Sequence, residues 1–296
     1  FKQKTAYEIR LSLVGSEMCI RDSIFTIATI GNYDYAVNYV FHQDGVIEVV
    51  CDLSGIMLAK GVKAASMESH LGSAAHGAHG APAGPTGLEY AHLVAPHVAA
   101  PHHQHYFNFR LDFDVDGPKN SVFEMNTRAA PAGKNNPYGN AMLMEEQQLG
   151  SEKLAQREVQ MTSARTWRVG NSGIKNPLGY NPSYLLLPAG NAVPYQSADS
   201  GVRKRARFID HHFWATKYKE NERHAAGWYP SQSTVGEGLN QYVGDDEKLD
   251  QEDVVVWYTL GITHIPRPEE WPIMTVHQLG FKLLPAGFFS RNPALD

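Results

Sequence analysis

His103-Gln-His-Tyr-Phe-Asn-Phe-Arg-Leu-Asp-Phe-Asp-Val-Asp116 alternates between two kinds of side chain along its whole length. His103, His105, Phe107, Phe109, Leu111 and Phe113 fall on one parity, and Gln104, Arg110, Asp112, Asp114 and Asp116 on the other. A period of two is the signature of a β-strand with one face turned to a core. The two imidazoles therefore point the same way from a largely apolar face, where both can reach one metal ion. The ordinary alternative for His-x-His is a pair of core or surface histidines.

Strand signals continue on either side. Ile24–Ile30, Ala36–His42, Val46–Val50, Tyr90–Val94 and Ser121–Thr127 read as strands, with Gly31-Asn32 and Asp44-Gly45 as turns between the first three. Tyr33 then sits at a strand end. Further strands are expected at Arg157–Val169, after the turn Asn176-Pro177-Leu-Gly-Tyr-Asn-Pro, and at Arg205–Tyr218, where His211 and His212 would face opposite sides. A short helical pattern covers Tyr138–Leu149. With few helical periods and no repeat, the fold class is all-β, a large antiparallel β-sandwich.

At 296 residues and 43% hydrophobic, the chain can bury a substantial core. A net charge of −5 offers no basic patch for nucleic acid, and no 18-residue apolar run exists to span a membrane. Two cysteines, Cys19 and Cys51, make no disulfide framework, and the cellular compartment stays open. Of fourteen histidines, nine lie between His42 and His105, which draws attention to metal binding there. The stretch 66–87, rich in Ala, Gly, His and Pro, reads as a low-complexity loop. Its His70, His76 and His79 are expected in solvent, because such a loop cannot fix ligand geometry. Residues 1–23 join abruptly to the strand at Ile24 and read as a non-native leader of the adapter or read-through kind. They lack the apolar core and cleavage site of a signal peptide. A native helix, with Tyr7, Leu11 and Val14 at helical spacing, is the other reading.

Three more segments carry chemistry. Thr29-Ile-Gly-Asn-Tyr-Asp-Tyr35 precedes the His-x-His strand, although Asn-Tyr-Asp is also an ordinary turn sequence. Asp253-Val-Val-Val-Trp-Tyr-Thr-Leu-Gly-Ile-Thr-His264 is a β-branched run into a lone histidine, and Pro266, Pro268, Pro272 and Met274 follow. That pattern describes a buried strand breaking out at a site. The chain ends in Gly-Phe-Phe-Ser-Arg-Asn-Pro-Ala-Leu-Asp296.

In this order, the four motifs resemble those of the copper amine oxidases over residues 24–296. The resemblance implies a supersandwich catalytic domain with His103, His105 and His264 as copper ligands. It makes Tyr33 the tyrosine that is oxidised in place to topaquinone, without another protein factor. It also implies that Asn32 positions the cofactor, that Met274 lies near the metal, and that the protein is a homodimer. The activity implied is oxidation of a small primary amine by dioxygen to aldehyde, ammonia and hydrogen peroxide. Taken on donor chemistry alone, three neutral imidazoles suit Cu(II) and zinc alike.

The resemblance also implies oxygen-ligand sites for Ca²⁺. One comprises Asp112, Phe113, Asp114, Asp253 and Val254, the Phe113 and Val254 contributions being carbonyls; a further one comprises Glu152, Tyr242, Asp245 and Glu247. Solvated acids are the bland reading of both. The family's general base and a second tyrosine lie upstream of the cofactor tyrosine, and Asp22 is too close and wrongly framed to serve. The sequence thus reads as the C-terminal part of a larger enzyme, truncated on its N-terminal side. The competing readings are a catalytically incomplete copper- or zinc-binding sandwich and, last, a zinc hydrolase, for which no glutamate stands in a recognisable zinc motif.

Overall fold

A computed structural model describes residues 21–67, 87–232 and 236–295. In chain order the strands begin with β1 (Arg21–Ile30), β2 (Tyr33–His42), β3 (Ile47–Ile56), β4 (Lys60–Gly61), β5 (Ala91–Ala95) and β6 (Val98–Pro101). The alternating stretch is β7 (His103–Phe113), followed by β8 (Asn120–Ala129), β9 (Met142–Gln148), β10 (Thr166–Gly170) and β11 (Ser183–Pro188). Last come β12 (Phe213–Lys217), β13 (Asp250–Glu252), β14 (Val254–His264) and β15 (Ile273–Ala286). Among the described residues the α-helices are two single turns, α1 (Gly201–Arg205) and α2 (Leu239–Tyr242). None is long and apolar enough to cross a membrane.

Nine strands form the large sheet in the order β1-β2-β3-β15-β11-β10-β8-β13, with β9 also paired to β8. A second sheet runs β12-β14-β7 and a third β4-β6-β5. Pairing in all three is antiparallel, as the alternation requires.

The second sheet packs on the large one, which is why β7 alternates. Phe109 and Phe113 of β7 and Val254, Val256, Tyr258 and Leu260 of β14 share a core with Val49, Cys51 and Leu53 of β3 and Leu279, Phe281 and Leu283 of β15. Phe281 sits between the sheets, 5.3 Å from Phe109 and 4.9 Å from Tyr258 between ring centres. Trp167 stacks on Phe213 at 4.6 Å. Each such side chain withdrawn from water stabilises the sandwich by about 1.5–3 kcal/mol. The other face of β14 is covered as well, since Val255 and Trp257 pack with Trp214, Leu239 and Val243. Burial on both faces explains why this segment reads as a continuous apolar run rather than an alternating one.

Three local expectations are corrected. Tyr138–Leu149 contains no helix: Met142–Gln148 is an exposed edge strand on β8. Its methionines and glutamates mimic a helical stripe, but β8 offers a ladder of backbone partners and nothing packs on a helical face. In the stretch from Arg157, strand begins only at Thr166, after a 3₁₀ turn at Met161–Ser163 that closes on Ala164 at φ 43°. Arg205–Tyr218 begins as the end of α1 and a 3₁₀ turn at Arg207–Asp210, and becomes strand only at Phe213. There Arg203 and Arg207 both clamp Asp210, at 2.7 and 2.5 Å, which holds the chain in helical turns.

Two other expectations concern residues largely outside those described. Residues 1–20 of the expected leader lie outside them, and β1 begins at Arg21. Residues 68–86, with His70, His76 and His79, lie outside them too.

Candidate metal centre

The site forms where the ends of β7 and β14 meet the start of β2. In the β7–β14 ladder His103 stands opposite His264, and His105 opposite Ile262. Tyr33 approaches from the large sheet as the first residue of β2, after the two-residue turn Gly31-Asn32, in which Gly31 has φ 64°. Strand β3 fixes its place from beneath: Gly55 pairs with Tyr33 on one side and with Met274 on the other. A Cβ on Gly55 would lie 2.5 Å from the Asn32 carbonyl oxygen and 2.7 Å from the Tyr33 Cα, and its φ is +120°. Only glycine allows that approach.

Hydrogen-bond partners fix the imidazole tautomers. His103 Nδ1 lies 2.8 Å from the Pro101 carbonyl, so it donates and Nε2 carries the lone pair. His264 Nε2 lies 3.0 Å from the Glu270 carboxylate, so it donates and Nδ1 carries the lone pair. Those two lone pairs face each other, with His103 Nε2 and His264 Nδ1 3.3 Å apart. Neutral rings in these tautomers cannot hydrogen-bond to one another, whereas a shared cation turns the repulsion into ligation. His105 Nδ1 is 2.9 Å from the Tyr35 hydroxyl, and its Nε2 is buried without a hydrogen-bond partner. One nitrogen from each ring falls within 4.8 Å of the others, close to the spacing of ligands around one metal ion. Burial, followed by the neighbouring imidazoles, pushes His105 down to about 4. Burial lowers His264 as well, against the pull of Glu270. Both rings are thus neutral at ordinary pH, as ligation requires.

Tyr33 is buried beside these rings, with its hydroxyl 3.1 Å from His103 Nε2 and its ring centre 5.1 Å from that of His105. Burial raises its pKa, opposed by hydrogen bonds with the Leu58 backbone and the Asn32 side chain. Asn32 also donates from Nδ2 to the Ile56 carbonyl, tying the turn to β3. Met274 is buried in one cluster with Tyr33, Met57, Val94 and Ala100. His102 is exposed and pairs with His92 at 6.0 Å, away from the site.

Tyr35, Pro101 and Glu270 are functional-site residues that sequence reading passed over. Glu270 is completely buried and accepts from His264 Nε2, from the Arg267 backbone and guanidinium, and from His277 Nε2 at 2.5 Å. Burial alone would raise its pKa, but these donors hold it at about 2. Such a carboxylate behind a ligand histidine orients the ring and strengthens it as a donor. The available signal was Glu270 six residues after His264. In Pro-Glu-Glu-Trp it reads as solvated loop.

The acidic groups are arranged less tightly. Asp112 and Asp114 lie near Asp253, whose pKa is raised by burial and then by those two neighbours, while Val254 pairs with Phe113. Arg110 occupies Asp112 at 3.1 Å, and among the described residues the three aspartates form no group within 4.8 Å. Glu152, Asp245 and Glu247 do form one. Glu152 is fully buried and pushed up to about 7, chiefly by burial, with backbone hydrogen bonds opposing. Lys219 sits in this cluster, 2.8 Å from Asp245 and 2.7 Å from Glu247. The Tyr242 hydroxyl turns away to donate to the His224 carbonyl at 3.1 Å.

The chain is similar in sequence and fold to known proteins. Residues 16–296 match the profile of the copper amine oxidase enzyme domain. The chain is 38% identical over 274 residues to a histamine oxidase of Arthrobacter globiformis, covering 93% of this chain and 37% of that protein. It is 36% identical to a peroxisomal copper-containing diamine oxidase of Nicotiana tabacum, covering 93% and 33%. The solved structure of a copper-containing benzylamine oxidase from Hansenula polymorpha superposes with a TM-score of 0.81 at 31% identity, covering 94% of this chain and 41% of that one. The chain therefore spans between a third and about two-fifths of the length of these relatives.

Proposed function

The chain belongs to the copper amine oxidase family, and from that premise we propose that it carries the copper centre and the quinone-forming tyrosine of a primary-amine oxidase. The observation that carries the proposal is the pair of facing lone pairs on His103 and His264, with Tyr33 in contact. His103, His105 and His264 would hold Cu(II), and Tyr33 would be the precursor of topaquinone. Together those groups would supply the redox chemistry that turns a small primary amine, dioxygen and water into aldehyde, ammonia and hydrogen peroxide.

The chain's own residues prepare the site for that chemistry. Pro101, Tyr35 and Glu270 each hold the far nitrogen of one histidine, so the near nitrogens converge. Asn32 restrains the turn that delivers Tyr33, and Met274 packs in the buried apolar cluster around the tyrosine. Glu152, Asp245 and Glu247 would bind Ca²⁺ once Lys219 is displaced, with Tyr242 able to offer only its backbone while its hydroxyl is engaged elsewhere. Asp112, Asp114 and Asp253, with the Phe113 and Val254 carbonyls, would close on a second Ca²⁺. A homodimer is part of the same proposal, supported by Ile24, Phe25, Ile27 and Ile30, which are more than 60% exposed on the edge strand β1.

The test is copper loading under air followed by phenylhydrazine, which traps a reactive carbonyl as a coloured adduct. Colour in the wild-type chain and none in Tyr33→Phe is expected. Colour that survives in Tyr33→Phe removes Tyr33 as the precursor. Copper bound without colour in wild type favours the catalytically incomplete metal-binding sandwich.

A further inference from the structure

We propose that His277 is a positioning residue for the metal centre, acting through Glu270 on His264; this rests on the reading of His264 as a copper ligand. The Glu270 carboxylate is completely buried, and its two oxygens divide their donors evenly. Oε2 accepts from His264 Nε2 at 3.0 Å and from the Arg267 backbone N–H at 2.9 Å. Oε1 accepts from the Arg267 guanidinium at 3.0 Å and from His277 Nε2 at 2.5 Å. A buried carboxylate is held in one orientation only when both oxygens are occupied. Arg267 is a weak anchor for that purpose, because its side chain is 57% exposed. His277, at 27%, is the better fixed of the two donors on Oε1, and its ring lies 4.8 Å from that of His264.

A backbone irregularity puts His277 there. Along β15, Met274 pairs with Gly55 while His277 pairs with Leu53, so three residues of β15 cover the span of two on β3. Met274 and His277 have opposite parity in the sequence, and a regular strand would send them to opposite faces. The extra residue reverses the parity, and Met274, His277, Leu279 and Phe281 all turn inward. One bulge therefore serves two purposes: it leaves Met274 against Tyr33 and brings His277 onto Glu270. The chain is Met274-Thr-Val-His277, and without the irregularity His277 would face solvent.

Fixing Glu270 fixes the His264 ring, whose Nδ1 must point at the metal while Nε2 stays protonated. Loss of a group that orients a metal ligand typically costs about 10–100-fold in metal affinity. The experiment measures Cu²⁺ affinity by chelator competition and the Cu(II) electron paramagnetic resonance spectrum. It compares wild type, His277→Leu, His277→Gln and His103→Ala, with metal-free stability of each followed by urea unfolding. His277→Leu should weaken Cu²⁺ binding about 10–100-fold and alter the spectrum. His277→Gln, whose amide nitrogen can donate to Glu270, should recover most of both.

Wild-type affinity and spectrum in His277→Leu, with binding abolished in His103→Ala, would overturn the role of His277 and leave the copper site standing. A second equivalent of Cu²⁺ bound by wild type and lost in His277→Leu would overturn it differently, by making His277 a ligand. Equal loss in the Leu and Gln variants, in step with lost metal-free stability, would reduce His277 to packing. No copper binding by wild type would end both the reading and the inference.

Discussion

His103 and His264 stand opposite each other across paired strands, with Nε2 of the first 3.3 Å from Nδ1 of the second. Neither nitrogen can donate, because Pro101 and Glu270 have claimed the proton on the other side of each ring. The Tyr33 hydroxyl, 3.1 Å from His103 Nε2, can donate to one of these facing lone pairs, whereas a cation would satisfy both. The same logic extends to His105, whose unpartnered Nε2 is buried while Tyr35 holds Nδ1.

Gly55→Ala tests how the tyrosine is delivered. The new methyl group would meet the Asn32 carbonyl at 2.5 Å and the Tyr33 Cα at 2.7 Å, on a residue with φ +120°. Backbone strain of this kind costs on the order of 1–3 kcal/mol, and the clash adds to it. Urea unfolding should show the loss, and phenylhydrazine colour should fall with it. A variant as stable as wild type, with full colour, would mean that β3 does not set the position of Tyr33.

Glu152 gives the chain a defined pH dependence. Its folded pKa is raised from 4.5 to about 7, so its contribution to stability is fully present below pH 4.5 and is lost as pH rises through about 7. Histidines such as His211 and His212, lowered by burial, act in the opposite sense, so the effect must be read as a difference. Glu152→Gln removes the charge and keeps an acceptor for one of the Lys217 and Glu247 N–H groups, which bond to different carboxylate oxygens. Relative to this variant, calcium-free wild type should lose stability across that range. A difference that stays flat or grows with pH would contradict the assignment.

Lys219 should compete with calcium. Its ammonium lies 2.8 Å from Asp245 and 2.7 Å from Glu247, the position a divalent ion would take. Lys219→Met should lower stability without calcium, by leaving the acids to repel one another, and should bind Ca²⁺ more tightly than wild type by calorimetry. Unchanged or weaker Ca²⁺ binding would show that the cluster is a lysine-centred salt-bridge network instead.

The parts of this fold legible in the sequence are those where one physical constraint dominates. Alternation in His103–Asp116 revealed β7, and the unbroken apolar run before His264 revealed β14, because burial dictates both patterns. The approach of Tyr33 to the histidines was legible only through a motif shared with a family, since the contact joins residues 70 apart. Glu270 and His277 were illegible. A glutamate in a proline-rich turn looks solvated, and a bulge that reverses strand parity leaves no trace in composition. Edge strand β9 was misread because all its side chains are exposed, and exposure imposes no period.

The central claim is that copper held by the three histidines acts on Tyr33. It is tested most directly by loading the metal-free chain with one equivalent of Cu²⁺ in air and measuring the mass of the peptide that contains Tyr33. In wild type this peptide should acquire the mass of the quinone, and in His103→Ala and His264→Ala it should keep the mass of tyrosine. Copper bound by the trio with Tyr33 unchanged, or conversion that persists when the histidines are removed, would contradict the account.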